Sequence, residues 1–294
     1  MSRNPGMRHF TENSALGKRI SRRFVAGLTL QDAIAAIEAV NRLGITATLD
    51  PLGENVHTQA AAEQAAANAC TILATIHQRR VDSTVSVKLT QLGLDLGLEL
   101  ARAQLRRILE AARQWDAFIR VDMEGCDYTA ATVELVAQLH AGGFNVGTVL
   151  QAYLHRSAGD MDRLLAENVR IRLVKGAYKE PASLALQEKA AVDANYVRLT
   201  QKLLDHTGYH AIATHDERMI TAALTYARQH QRDPASFEFQ MLYGIRRDLQ
   251  RKLRSEGWNV RVYIPFGPEW YPYFMRRLAE RPANLLFLLK NLVK

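Results

Sequence analysis

The strongest constraint on this chain is an alternation that repeats eight times. Short runs rich in β-branched residues are each followed by a longer stretch with helical spacing. Strands are predicted over Gly44–Asp50, Thr84–Leu89, Ala117–Met123, Asn145–Gln151, Arg170–Lys175, Tyr209–Thr214, Ser236–Met241 and Asn259–Ile264. Amphipathic helices are predicted over His57–Arg80, Leu98–Gln114, Thr129–His140, Asp160–Asn168, Leu184–His206, Glu217–His230 and Ile245–Glu256. A helical prelude, Gln31–Leu43, precedes the first strand. A further helix bearing Tyr273, Arg276, Arg277 and Glu280 follows the last. Strands separated by helices run parallel, and eight such units predict an α/β fold, a (β/α)8 TIM-type barrel. The expected organisation is one domain over 1–294, with 1–43 as the prelude and 44–294 as the barrel and its C-terminal helix. An open doubly wound sheet is the alternative. It would carry Gly-x-Gly-x-x-Gly after its first strand, but Pro51-Leu-Gly-Glu-Asn55 stands there, and no such fingerprint or Walker-type loop occurs.

Composition narrows the function classes. The 294 residues are 48% hydrophobic, enough for a proper core, yet no run of 18 apolar residues could span a membrane. Met1–Arg23 is basic and lacks the apolar centre of a secretory signal; a transit-type leader and a plain basic leader both fit it. The two cysteines, Cys70 and Cys126, form no CxxC and no metal-type spacing, so neither a disulfide framework nor a metal site is expected and a reducing compartment fits. The net charge of +8 is spread along the chain rather than gathered in one arm. That argues against nucleic acid and leaves an anionic ligand or an anionic surface.

In a barrel of this kind, chemistry gathers at the C-terminal ends of the strands. Those ends carry Asp50 with Glu54 beyond it, Lys88, Asp122 and Glu124, Gln151, Arg172 and Lys175 followed by Gly176 and Tyr178, Thr214-His215-Asp216, Glu238 and Gln240, and Tyr263. A polar group therefore ends every strand. Lys88 lies between Val85-Ser86-Val87 and Leu89, where an isolated ammonium is costly. It reads as a Schiff-base nucleophile, as a fixed cation, or as a lysine snorkelling from a strand end. Asp122 and Glu124 share a side by the period of two and could do acid–base work or bind a metal. The preferred reading pairs Asp122 with Lys88 on the neighbouring strand. Arg172 and Lys175 offer cations to an anion such as a phosphate, and Gly176 allows close backbone approach. On the last helix, Tyr273, Arg276, Arg277 and Glu280 sit at i, i+3, i+4 and i+7, on one face. That face is either a fork for a small carboxylate or a solvated charged surface.

With these residues in hand, the chain resembles the proline dehydrogenase family in its monofunctional bacterial form, from about Leu30 to Asn291. The resemblance rests on Val85-Ser86-Val87-Lys88-Leu89, Val121-Asp122-Met123-Glu124, Leu150-Gln151-Ala152-Tyr153, Arg172-Leu173-Val174-Lys175-Gly176-Ala177-Tyr178, Ala213-Thr214-His215, Phe239-Gln240-Met241-Leu242-Tyr243-Gly244 and the Tyr273/Arg276-Arg277/Glu280 helix, in that order. It implies a distorted barrel with the last helix over its mouth, and FAD bound without a Rossmann motif. It implies oxidation of L-proline to Δ1-pyrroline-5-carboxylate, with hydride passing from proline C5 to flavin N5 and electrons then to a membrane quinone.

Carried over residue by residue, Arg276 and Arg277 bind the proline carboxylate with Lys88 beside them. Tyr263 and Tyr273 pack around the ring, Leu173 lies beneath it, and Glu280 braces the arginines. Asp122 and Tyr178 line the substrate side. Gln151, Arg172, Val174, Lys175, Gly176, Thr214 and His215 contact the flavin, and Glu54 gates the site by pairing with Arg276. Lys179 departs from the tryptophan some relatives place there, which leaves flavin packing on that side open. The resemblance also implies a separate pyrroline-5-carboxylate/glutamate-semialdehyde dehydrogenase as partner, and a cytoplasmic location with peripheral contact at the inner membrane through Arg19–Arg23 or Leu285–Val293. Two other functions are weighed against it: a Schiff-base aldolase using Lys88, and a basic, non-catalytic anion-binding module.

Overall fold

The computed structural model describes residues 24–279. Glu280, the Arg19–Arg23 leader and the Leu285–Val293 tail lie outside the described residues. Within them the chain runs α1 (Leu30–Asn41), β1 (Thr46–Pro51), α2 (Gln59–Arg79), β2 (Ser83–Val87), α3 (Leu98–Arg113), β3 (Ile119–Val121), α4 (Cys126–Ala141), β4 (Val146–Gln151), α5 (Ser157–Ala166), β5 (Arg170–Val174), α6 (Lys189–Asp205), β6 (His210–Ala213), α7 (Glu217–Gln229), β7 (Phe237–Leu242), α8 (Arg247–Ser255), β8 (Asn259–Phe266) and α9 (Trp270–Ala279). The eight strands pair in sequence order, all parallel, and β8 closes on β1. The predicted (β/α)8 barrel is the fold observed, and the doubly wound alternative is excluded by closure.

The helices start where local chemistry directs. Thr29 accepts from the Asp32 N–H while Asp32 accepts from the Thr29 N–H, a capping box that opens α1. Thr58 caps α2 and Asp216 caps α7. Between β-strands and helices the core is a continuous shell of aliphatic side chains, from Ile37 and Leu49 round to Val262 and Ile264. Three predicted helix starts move by three residues or more. Helix α5 begins at Ser157 rather than Asp160, and the Ser157 hydroxyl donates to the Gln151 carbonyl. Helix α6 begins at Lys189 rather than Leu184, because Pro181 accepts from the Leu184 and Ala185 N–H groups and Ala185 bridges to Leu154. Helix α4 begins three residues before Thr129, at Cys126, whose N–H donates to Glu180.

The eighth position of the barrel is unusual. Helix α1 packs on β8 and β1, where the last helix of a regular barrel would lie. Its entry segment is tied down by Ala26 N–H to Pro265 O at 2.9 Å and by Gly267 N–H to Gly27 O at 3.0 Å. That frees α9 to turn over the C-terminal end of the barrel. There Trp270, Tyr271, Tyr273 and Met275 form a second apolar cluster with Phe24, Val25, Leu52 and Ile245. Tyr273 also reaches the wall of the cavity at the barrel mouth. The implied placement of the last helix over the mouth fits this arrangement.

The barrel interior is polar rather than aliphatic. On β7 and β8, Glu238 and Arg261 form its lower layer, joined by Arg261 Nε to Glu238 Oε1 at 2.9 Å. Arg120 donates Nη1 to the Thr148 and Arg170 carbonyls. Glu238 was expected among the strand-end groups; the period of two instead places it one layer below Gln240, away from the mouth.

Candidate active site

A cavity of about 410 Å³ opens at the C-terminal end of the barrel. Its wall holds Asp50, Glu54, Lys88, Asp122, Gln151, Arg172, Val174, Lys175, Gly176, Tyr178, Thr214, His215, Gln240, Tyr263 and Tyr273. Residues predicted from all eight strand ends and the last helix are thus brought to one surface. Leu173 is not: Arg172 and Val174 face the cavity, and Leu173 between them is wholly buried in the core. Arg276 and Arg277 lie on α9, one turn beyond Tyr273. Glu280 is outside the described residues.

Electrostatics organise the centre of this surface. Asp122 follows β3 directly and accepts from Arg172 Nη1 at 2.7 Å and from the Tyr263 hydroxyl at 2.6 Å. Arg172 also donates to Ser86 Oγ and stands over the Tyr263 ring at 5.2 Å. Burial alone would raise the Asp122 carboxyl, but Arg172, Lys88 and Tyr263 outweigh it and hold the pKa below the ordinary value. Burial and the neighbouring carboxylates push the Tyr263 phenol the other way, well above its ordinary range, so it remains a donor.

The preferred pairing of Lys88 with Asp122 holds, but as the looser of two ion pairs. Register supported it: Val87 pairs with Val121, so Lys88 and Asp122 are neighbours one step further on. Yet Lys88 Nζ lies 2.6 Å from Asp50 Oδ1 and 3.7 Å from Asp122 Oδ2. The physical reason is competition, since Asp122 already holds the guanidinium of Arg172 and the phenol of Tyr263. Burial works against the Lys88 ammonium, but Asp50 and Asp122 outweigh it and raise its pKa. Lys88 therefore stays charged.

The suggested carboxylate pair of Asp122 and Glu124 does not form. Glu124 turns into the next loop, where it accepts from Thr90 N–H at 3.2 Å and from Thr90 Oγ1 at 2.5 Å. Burial raises its pKa against those two hydrogen bonds. Among the described residues no cluster of three or more His, Cys, Asp or Glu could hold a metal.

The opposite wall is built by β5 and β6. Lys175 is clamped between Asp193 at 2.5 Å and Asp216 at 2.8 Å. His215 Nε2 accepts from the Leu242 N–H at 2.9 Å and so joins the ends of β6 and β7. Gln151 donates to the Glu124 carbonyl. Gly176 has φ +126°, and a Cβ there would lie 2.3 Å from the Tyr153 ring. Only glycine allows the chain to turn past that ring, which brings Tyr178 to the mouth. Two atoms on the cavity wall are buried without a hydrogen-bond partner among the described residues: Arg172 Nε and Gln240 Oε1. Buried polar atoms are seldom left so, and one donor with one acceptor at a cavity wall suits a polar ligand.

Sequence reasoning named Asp50 and Gln240 at strand ends but gave neither a role. The signal for Asp50 was its place beside Lys88 on the adjoining strand; nothing in the sequence said which of two flanking carboxylates the lysine would choose.

Comparison with known proteins agrees with this geometry. Residues 33–290 match the proline dehydrogenase family. The chain is 41% identical over 295 residues to "Proline dehydrogenase 1" of Bacillus subtilis (strain 168), covering all of this chain and 97% of that one. It is 42% identical over 280 residues to "Proline dehydrogenase" of Deinococcus radiodurans, covering 94% and 90%. Among solved structures, proline utilization A (PutA) from Bdellovibrio bacteriovorus superposes with a TM-score of 0.84 at 24% identity, over 89% of this chain and 32% of that one. That last likeness shows the fold, and this chain spans about a third of that protein. Full-length identity to curated relatives, together with a cationic, phenol-walled cavity at the mouth of the same barrel, places the chain in the proline dehydrogenase family, and it is an oxidoreductase of proline catabolism.

Proposed function

We propose that the chain oxidises L-proline to Δ1-pyrroline-5-carboxylate with FAD as its cofactor and a quinone as final acceptor. The observation that carries this reading is the Lys88 ammonium, held charged at a cavity wall beside the Tyr263 phenol. FAD, when bound, supplies the acceptor for the hydride from proline C5. Its site is read from Gln151, Arg172, Val174, Lys175, Gly176, Thr214 and His215. Support for the fit comes from the unpartnered Arg172 Nε and Gln240 Oε1, which offer a donor and an acceptor to a planar polar ring. The absence of a glycine fingerprint in the sequence is consistent with a flavin held by strand ends.

The chain's own part is orientation. Lys88, with Arg276 and Arg277 from α9, draws in the proline carboxylate. Tyr263 and Tyr273 wall the ring, and Asp122 fixes Tyr263 through the 2.6 Å hydrogen bond. Clamping one end of a small substrate and walling the other fixes the reacting carbon, which is where such a site gains most of its rate. Once the amine has given up a proton to solvent, loss of hydride from C5 leaves a C5=N iminium, which gives up its remaining N–H proton to solvent to form the imine. Glu54 lines this cavity and the neighbouring groove between α2 and the start of α9, a position suited to a gate that closes on Arg276. Handover of the product to a separate dehydrogenase, and peripheral contact with the quinone's membrane, belong to the same reading. No described helix is long and apolar enough to cross a membrane.

A Schiff-base role for Lys88 is disfavoured, because that chemistry needs a neutral amine and Asp50 and Asp122 keep this one charged. The test is product identity. Incubation with L-proline and a soluble quinone should yield a cyclic imine that condenses with o-aminobenzaldehyde, and denatured protein should release FAD. A protein that releases no flavin and forms no imine sinks the reading.

A further inference from the structure

We propose that Asp50 is a positioning residue for substrate binding: it holds the Lys88 ammonium at the cavity wall and keeps it from collapsing onto Asp122. The inference rests on Lys88 receiving the proline carboxylate, as proposed above.

Geometry supports it from both sides. Asp50 is the penultimate residue of β1 and Lys88 stands one residue past β2, on adjacent strands whose register pairs Leu49 with Val85. Their side chains are 2% and 10% exposed, and both line the cavity. The Nζ–Oδ1 distance is 2.6 Å, so the pair is a charge-assisted hydrogen bond and not a loose ion contact. Asp122 is the competing anchor, 3.7 Å away. A lysine has a long flexible stem, and loss of Asp50 would need only about an ångström of movement to seat it on Asp122. That move has a second cost. Asp122 has committed its oxygens to Arg172 and to the single proton of the Tyr263 hydroxyl. A third cation there would loosen the phenol wall as well as withdraw the substrate cation. The site thus shares two cations between two carboxylates, Lys88 with Asp50 and Arg172 with Asp122, and Asp50 maintains the division.

The charged and titratable groups that face Lys88 are Asp50 from β1, Glu54 from the loop after it, Asp122 and Glu124 beyond β3, and Tyr263 from β8, with Arg172 of β5 on the far side of Asp122. Asp50 is the strongest of those opposing the effect of burial on Lys88. Without it, burial is less opposed and the Lys88 pKa falls. An alkaline loss of proline binding should then appear that the parent enzyme lacks.

The experiment is a double-mutant cycle on the flavin-loaded enzyme with Asp50→Asn, Lys88→Met and the pair, reading KM and kcat for L-proline against pH. Asp50→Asn should raise KM about tenfold or more, the scale of a lost charge-assisted hydrogen bond, with kcat changed far less. Its KM should climb further as pH rises, while the parent's does not. In the Lys88→Met background the same substitution should have almost no effect on KM, because a positioning residue acts through its partner. An unchanged KM in Asp50→Asn, or an effect that persists without Lys88, overturns the inference. Lys88→Met with a normal KM would overturn the substrate reading beneath it, and with it this inference; a raised KM in Lys88→Met beside a normal one in Asp50→Asn removes Asp50 alone. Should the Asn variant fail to fold, Asp50→Glu carries the same cycle. A Glu variant whose KM, like the parent's, does not climb as pH rises, or whose KM change vanishes with Lys88→Met, supports the proposal. A KM change that survives Lys88→Met overturns it.

Discussion

Asp122→Ala should be the most damaging single change in the barrel. The substitution leaves the Arg172 guanidinium buried with Ser86 as its remaining side-chain hydrogen-bond acceptor, and takes from Tyr263 the acceptor of its hydroxyl. Breaking a buried pair by removing one partner costs on the order of 3–5 kcal/mol, because an uncompensated charge stays behind. The sign with pH is fixed by the direction of the Asp122 shift. Its folded pKa lies below the ordinary 3.8, so its contribution is complete above that value and is lost as pH falls through the lowered one. Urea unfolding at neutral pH should therefore show the full difference between parent and variant, and the difference should shrink in strong acid. Activity should fall with it, since Tyr263 is no longer fixed against the substrate. Equal unfolding midpoints at neutral pH would contradict the assignment of Asp122 as the hub.

Arg277→Met is the second large effect, and it falls on binding. A small carboxylate held by guanidiniums loses its planar fork when one is replaced by a thioether of similar length. Truncating one member of a hydrogen-bonded charge pair costs about 2–5 kcal/mol, so KM for proline should rise about a hundredfold. Flavin content should not change, because the residues proposed to hold the flavin lie on or just beyond β4 to β6 and Arg277 lies on α9. Lys88 remains in place at the wall, so saturation should still be reached at high proline. A variant with normal KM would mean that the Arg276–Arg277 face of α9 looks elsewhere.

The barrel was legible because each of its units announces itself twice, once by a β-branched run and once by helical spacing, and because only closure satisfies eight such units in this order. The polar ring at the strand ends was legible for a similar reason: Lys88 within Val-Ser-Val-Lys-Leu has no apolar explanation. What could not be read was the choice of partners. Arg172 reaches Asp122 from β5 to β3, across the interior, and sequence spacing carries information about adjacent strands only. Because that contact occupies Asp122, Lys88 turns to Asp50. Glu124 was misread for a local reason, as β3 ends at Val121 and the alternation that would have aligned it with Asp122 no longer applies in the loop. Leu173 shows the reverse case: strand periodicity alone would have assigned it to the helix-facing side of β5, between Arg172 and Val174.

The central claim is that this cavity brings L-proline to a bound flavin. Anaerobic titration of the purified protein with L-proline tests it most directly. The visible flavin band should be present before addition and bleach as proline is added, with the substitution at Arg277 shifting the titration to higher proline and leaving the starting band intact. A flavin band that proline does not bleach, or a colourless protein, would contradict the account.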